Sequence, residues 1–203
     1  GVCMNLFFDC ETTGLIIRDL ELTDPAQPRI VQLAAILADD EGEVLEEYDV
    51  IFKPDGYTIT EESSAIHGIT HEMAEQKGIP ARQALEGIEK LAARAKIAIA
   101  HNMSFDMAMV NREAFLLEYE MGLRALPRYC TMKEGTPITK IKTSRGYKWP
   151  KLIELYRHFF GCDFDGAHNA LHDVRATLKC YLEMKKLTPL AAGFPGDYQA
   201  PIF

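Results

Sequence analysis

The sequence predicts an α/β fold, a mixed sheet flanked by helices, from three observations. Apolar runs over residues 4–8, 30–38 and 97–100 have the length of buried strands. The second run is followed by Asp39-Asp40-Glu41-Gly42 and then by residues 43–52, and that turn chemistry places a hairpin there. Beyond the hairpin, helical spacing alternates with short strands, so three antiparallel strands are followed by parallel ones.

Residues 4–8 form the first strand and lead straight into Asp9. Residues 18–29 contain Pro25 and Pro28 with no periodicity, which reads as a loop beside the end of that strand. Pro80 fits a helix first turn, and Ala84, Leu85, Ile88, Leu91, Ala92 and Ala95 keep to one helical face. A strand over 97–100, a helix over 106–119 and a short strand over 127–131 follow. Residues 135–148 carry Gly, Pro and Thr and read as a mobile basic loop. A helix over 151–160 is ended by Gly161, and the last long helix covers 171–186. One domain over residues 1–187 and a Pro-, Gly- and Ala-rich tail over 188–203 account for the chain.

The 203 residues are 47% hydrophobic and 26% charged, ample for a core without staples. No stretch approaches about 18 consecutive apolar residues, and no basic segment precedes an apolar run, so neither a membrane span nor a secretory signal is expected. Cys3, Cys10, Cys130, Cys162 and Cys180 are odd in number and form no CxxC pair, which points to a reducing cytoplasm.

The net charge of −8 argues against a polyanion as partner, but it is unevenly spread. Residues 128–158 carry a local net of +6, which leaves −14 on the rest. A run of this kind is either a solvated face or a phosphate-binding surface.

Three segments concentrate chemistry. In Asp9-Cys10-Glu11-Thr12-Thr13-Gly14, positions i and i+2 of a strand put Asp9 and Glu11 on one face. Two carboxylates so close repel unless a hard divalent cation lies between them; a solvated strand end is the plain alternative. Asp106, in His101-Asn102-Met103-Ser104-Phe105-Asp106, falls near a helix start, where it serves either a metal or the helix dipole. In His168-Asn169-Ala170-Leu171-His172-Asp173, a carboxylate on a first helical turn follows an imidazole five residues earlier. Such an imidazole is a general-base candidate, since its unperturbed pKa is near neutral.

Taken in order, these three segments resemble the DEDD superfamily of 3′→5′ exonucleases, in its histidine branch. That group includes proofreading subunits of bacterial DNA polymerase III, ribonuclease T and oligoribonuclease. FDCETTGL from Phe8 resembles the first motif, HNMSFD from His101 the second, and HNALHD from His168 with Arg175-Ala176-Thr177 the third, across residues 4–185. The tyrosine branch would place Tyr where this chain has Asn169. The resemblance implies a ribonuclease-H-like fold, with Asp9, Glu11, Asp106 and Asp173 as ligands of two Mg2+ ions, Mn2+ substituting, and His168 as general base. It implies release of nucleoside 5′-monophosphates from the 3′ end of a nucleic acid, with single-stranded or frayed DNA favoured and RNA possible. Paired cations about 3.5–4 Å apart suit such a displacement, because they stabilise both the attacking and the leaving oxygen.

The same resemblance points to Thr12, Thr13, Leu15, Glu62, His67 and Phe105 around the terminal nucleotide. For His67 the plain alternative is a helix-end hydrogen bonder. Beside an acidic site, Lys140, Lys142, Arg145 and Lys148, interleaved with Tyr147 and Trp149, are expected to hold the strand's phosphates. The terminal Gln199-Ala200-Pro201-Ile202-Phe203 resembles peptides that dock on bacterial sliding clamps, against the plainer reading of an apolar tail folded onto its own core. Polymerase or clamp association through that tail, a catalytically silent nucleic-acid-binding module and an exoribonuclease are the competing functions. A monomer is expected in preference to a homodimer.

Overall fold

The computed structural model describes residues 3–187. The Gln199 to Phe203 segment lies outside the described residues. A five-stranded sheet forms the centre: β1 (Met4–Thr12), β2 (Ile30–Asp39), β3 (Val44–Ile51), β4 (Ile97–Ala100) and β5 (Arg128–Cys130), in the order β3-β2-β1-β4-β5. β1, β2 and β3 pair antiparallel, while β4 runs parallel to β1 and β5 parallel to β4. This is the mixed sheet expected, with the strand that carries Asp9 and Glu11 at its middle.

Alternation along β1 builds two cores. Leu6, Phe8 and Cys10 face α3 (Ala81–Ala92) and α4 (Met103–Leu116), where they meet Leu85, Ile88, Met107 and Val110. Phe7 faces the other way, against Val174, Leu178 and Tyr181 of α7 (Ala170–Leu187). The Phe7 and Tyr181 rings meet edge to face at 5.4 Å. Asp9 and Glu11 share the Phe7 face, so they point toward the start of α7. A register shift between Glu11 and Thr12 ends the ladder at that point.

Two helices occupy a stretch in which no period was legible. α1 (Glu61–His67) and α2 (His71–Lys77) are each capped by a threonine hydroxyl, Thr60 accepting from the Ser63 N–H and Thr70 from the Met73 N–H. α4 begins at Met103, three residues before the expected start, because Asn102 adopts φ 74° and turns the chain into the helix there.

The expectation of a mobile loop over 135–148 is corrected. Thr131–Thr139 forms α5 with Pro137 inside it, and Lys142–Thr143 and Gly146–Tyr147 form a separate hairpin, β6 and β7. Tertiary contacts override the weak helix propensity of this segment. Gly135 packs so closely that a Cβ there would meet Leu155 Cδ1 at 3.0 Å. The Thr136 and Thr139 hydroxyls donate back to the Met132 and Gly135 carbonyls at 3.0 and 3.2 Å. α6 (Leu152–Phe160) ends at Gly161, in the left-handed region at φ 70°, as expected.

The loop over residues 18–29 is pinned from beneath. Arg112 is buried and donates to the Pro28 and Leu22 carbonyls at 2.9 and 2.6 Å. Its neighbour Glu113 takes a two-pronged ion pair from Arg29 at 2.8 and 2.9 Å. All five cysteines are free. Among the described residues no helix is long and apolar enough to cross a membrane.

Candidate active site

The site lies where β1 runs out beside the first turns of α4 and α7. Glu11 is buried on β1, opposite Gln32 of β2. Asp106 is 2% exposed, and its Oδ1 accepts the Cys10 N–H at 2.9 Å, which fastens the start of α4 to β1. Asp173 lies on the first turn of α7, and its Oδ2 accepts the His168 N–H at 3.2 Å.

The approach to α7 has its own local logic. Asn169 caps the helix, its Oδ1 accepting the His172 N–H at 3.3 Å and its carbonyl accepting the Asp173 N–H at 2.9 Å. His168, at φ 66°, is a non-glycine residue in the left-handed region, a conformation that costs about 1–2 kcal/mol. Its exposed side chain is thereby turned toward the carboxylates. One ligand atom each from Glu11, His168 and Asp173 lie within 4.8 Å of one another.

Burial and proximity bear on the charge of every one of these carboxylates. Burial raises Asp9 well above the usual carboxylate range, and the charges of Asp106, Asp173 and Glu11 add to it. Burial, the neighbouring Asp173 and Asp106 charges, and a hydrogen bond to Asp173 push Glu11 up to about 8. Asp106 is pushed up to about 8 by burial, despite the N–H that Cys10 donates to it. Burial takes Asp173 to about 7, against the opposing pull of the His168 N–H. Four acids destabilised together as anions form a donor set of hard oxygens, which fits a divalent cation of the magnesium or manganese kind.

The remaining expected residues are dispersed around this centre. The Thr13 hydroxyl accepts the Arg29 N–H at 3.0 Å, and the Thr12 hydroxyl donates to the Gly14 carbonyl at 2.7 Å. Leu15 is 82% exposed on the following loop. Glu62 is exposed on α1, and Phe105 is half-buried against the α3–α4 core. His67 is buried at the end of α1, where its Nδ1 accepts the Ile69 N–H at 3.1 Å and its Nε2 has no partner. It borders a cleft of about 520 Å³ shared with Gln32, Asp49 and Asn169, so it does approach the start of α7. Lys140, Lys142 and Arg145 are exposed. Lys148 Nζ lies 2.7 Å from Glu154 Oε1, so that ammonium is engaged within the protein.

Two residues escaped the sequence. His101 spans two elements, its Nδ1 2.9 Å from the Thr131 hydroxyl and its Nε2 2.9 Å from the Pro150 carbonyl. Gln32 Oε1 accepts the Ala170 N–H at 3.1 Å, and its Nε2 donates to Asp49 Oδ1 at 2.8 Å. A lone amide within the run Ile30-Val31-Gln32-Leu33-Ala34-Ala35 was the available signal, since a buried carboxamide requires partners.

The profile of an exonuclease family, RNase_T, matches residues 6–181. The chain belongs to this exonuclease family. A search of curated proteins returned no match. The exonuclease fold is also that of solved structures from E. coli. Exonuclease I in complex with a dA16 oligonucleotide superposes with a TM-score of 0.73 at 24% identity, covering 92% of this chain and 42% of that one. The zinc-bound form of an E. coli ExoI–ssDNA complex gives 0.73 at 24% identity, over 94% and 42%. The complex of Exonuclease I with dT13 gives 0.71 at 24%, over 90% and 41%. The chain therefore spans about two fifths of the length of these solved proteins.

Proposed function

We propose that this exonuclease-family chain removes nucleotides from the 3′ end of single-stranded or frayed DNA and releases nucleoside 5′-monophosphates. The observation that carries the reading is the convergence of Asp9, Glu11 and Asp106 with Asp173 and His168 at one end of the sheet. Asp9, Glu11, Asp106 and Asp173 would hold two divalent cations, Mg2+ with Mn2+ as a substitute. When bound, such ions supply Lewis-acid stabilisation at the attacking and leaving oxygens of the phosphodiester.

The chain's own groups do the rest. A ring nitrogen of His168 takes the proton of the attacking water, which its exposed position lets it reach. The oxygen of that water bonds to phosphorus as the bond to the 3′ oxygen of the preceding nucleotide breaks. His67 offers its unpartnered Nε2 to the terminal nucleotide, with Glu62, Thr12, Thr13, Leu15 and Phe105 around it. The single-stranded DNA named in the E. coli complexes supports DNA as the polymer.

The test is a gel time course on matched 5′-labelled DNA and RNA oligonucleotides, with magnesium, with manganese and with chelator, using Asp9→Ala as the control for contamination. A metal-dependent ladder shortening from the 3′ end of DNA, absent in the variant, is the expected result. A ladder on RNA alone keeps the chemistry and overturns the choice of polymer. Absence of cleavage on both overturns the reading.

A further inference from the structure

We propose that the β6–β7 hairpin, with the aromatic strap that follows it, is a second nucleic-acid surface that holds the single strand on the 5′ side of the scissile bond. The proposal rests on the exonuclease reading of the carboxylate site. A 3′ end seated at those carboxylates can continue only in the 5′ direction. Any neighbouring surface that is met by the substrate is therefore met by nucleotides upstream of the bond to be cut.

The hairpin stands at the same end of the sheet as the site. β4 ends at Ala100, and the next residue, His101, donates its Nε2–H to the Pro150 carbonyl at 2.9 Å. Five residues further along that chain is Asp106. The strap after the hairpin is thus tied to the segment that delivers one of the four carboxylates.

A hairpin with two-residue strands is marginal by itself, so it must be held by other contacts. The Lys148 N–H donates to the Ile141 carbonyl at 2.9 Å and closes the base. The Thr143 hydroxyl donates to the Gly146 carbonyl at 2.8 Å and accepts the Arg145 N–H at 3.3 Å, which shapes the tip. Lys148 Nζ on Glu154 fastens the hairpin to α6. These contacts fix the backbone and leave other side chains outward.

What faces outward has a particular chemistry. Lys142 and Arg145 are exposed, and among the described residues no ion pair engages either. Tyr147 is 51% and Trp149 59% exposed, the largest exposed rings of this region. Lys133 Nζ lies 5.6 Å from the Trp149 ring centroid, a cation–π contact that orients the indole. Apolar rings left in water beside unpaired cations match what a single strand presents, namely stacking bases and a phosphate every nucleotide. A solvated surface would need the lysines but not the rings. Residues 128–158 are also the strongly basic part of an otherwise acidic chain, so the field on the hairpin is opposite to the field at the carboxylates.

The experiment compares the parent chain with Lys142→Ala/Arg145→Ala and with Trp149→Ala. Affinity is read by fluorescence anisotropy for 5′-fluorescein dT2, dT4, dT8 and dT12 in Ca2+ buffer. Turnover of the p-nitrophenyl ester of thymidine 5′-monophosphate in Mg2+ reads the catalytic centre alone. Both variants are expected to bind dT8 and dT12 about tenfold more weakly, while dT2 binding and ester turnover match the parent. The double variant should also flatten the slope of log affinity against log salt by about 1.4, the share of two phosphate contacts on a single strand. Parent-like binding at every length, or an equal loss at dT2 and dT12, overturns the proposal. A parent that turns over the ester but binds all lengths alike overturns the hairpin surface alone. A parent that neither turns over the ester nor binds DNA overturns the exonuclease reading beneath it.

Discussion

Gln32 holds Ala170. The carboxamide oxygen of the first, on β2, takes the N–H of the second at 3.1 Å, and Ala170 opens the helix that carries Asp173. A free N–H at a helix start is one of the groups that the helix cannot satisfy internally. Gln32 therefore sets the position of Asp173 and of the His168 turn without touching the reaction, as a positioning residue. Gln32→Leu is expected to lower kcat about tenfold with KM little changed and to cost about 1–3 kcal/mol, the penalty of a buried donor left unpaired. Steady-state kinetics with urea denaturation checks it; loss of stability with unchanged kcat removes the positioning role.

The carboxylate cluster predicts a pH-dependent stability that metal reverses. Burial raises Glu11 and Asp106 to about 8, with neighbouring carboxylate charge adding to both, and burial raises Asp173 to about 7, whereas the unfolded chain ionises near ordinary carboxylate values. Below those ordinary values both states are neutral and no penalty exists. As pH rises the unfolded state sheds protons first, so the metal-free protein loses stability progressively up to about pH 8. Melting curves in EDTA should therefore fall from pH 5 to pH 8, and added Mg2+ should raise Tm more at pH 8 than at pH 5. An increment of the same size at both pH values contradicts the cluster's role.

Asp173→Asn separates function from stability. Turnover is expected to fall at least about 1000-fold, since one ligand of the proposed metal centre is lost. The metal-free protein should melt no lower than the parent at pH 8, because one member of a repelling group is gone. Differential scanning calorimetry beside a cleavage assay tests both halves; a large drop in Tm would mean that Asp173 serves the fold.

His168→Ala is expected to lose about 100- to 10,000-fold in turnover, the usual share of a general base, while Mn2+ still binds. Titration calorimetry with Mn2+ and single-turnover kinetics distinguish the outcomes. Loss of Mn2+ binding would make the imidazole a ligand, consistent with its closeness to Glu11 and Asp173, and would remove the base from the mechanism.

Glu113→Leu should cost about 3–5 kcal/mol in urea denaturation, because Arg29 is then left without its carboxylate and the Ile30 N–H loses its acceptor. If this variant unfolds like the parent, the Arg29–Glu113 pair does not hold the loop over residues 18–29.

The strands of the five-stranded sheet and the helices α4 and α7 were legible because burial leaves a plain mark: Ile30 to Ala38 is nearly all apolar, and α7 keeps its period through Val174, Leu178 and Tyr181. Asp9 and Glu11 could be paired from strand alternation alone, and the structure puts both at the strand end. The seven-residue helices α1 and α2 left no mark, since fewer than two turns give no measurable period. α5 was misread because Pro137 and its threonines count against a helix locally, while Gly135 against Leu155 and His101 on Thr131 decide in its favour from a distance. Arg112 and Glu113 were hidden for a similar reason: neighbouring charges on a helix look solvated until a loop closes over them.

The four carboxylates are contributed by β1, α4 and α7, which lie far apart along the chain. No early segment of the chain holds the cluster, and His168 and Asp173 emerge from the ribosome after all the sheet strands have been made. An unfinished chain, or one cut before α7, keeps only Asp9, Glu11 and Asp106 of the proposed centre and lacks both the proposed base and the proposed closing ligand. On the proposed mechanism, cleavage of polynucleotides therefore waits until α7 docks on the sheet, and the chain's own synthesis beside messenger RNA is spared it.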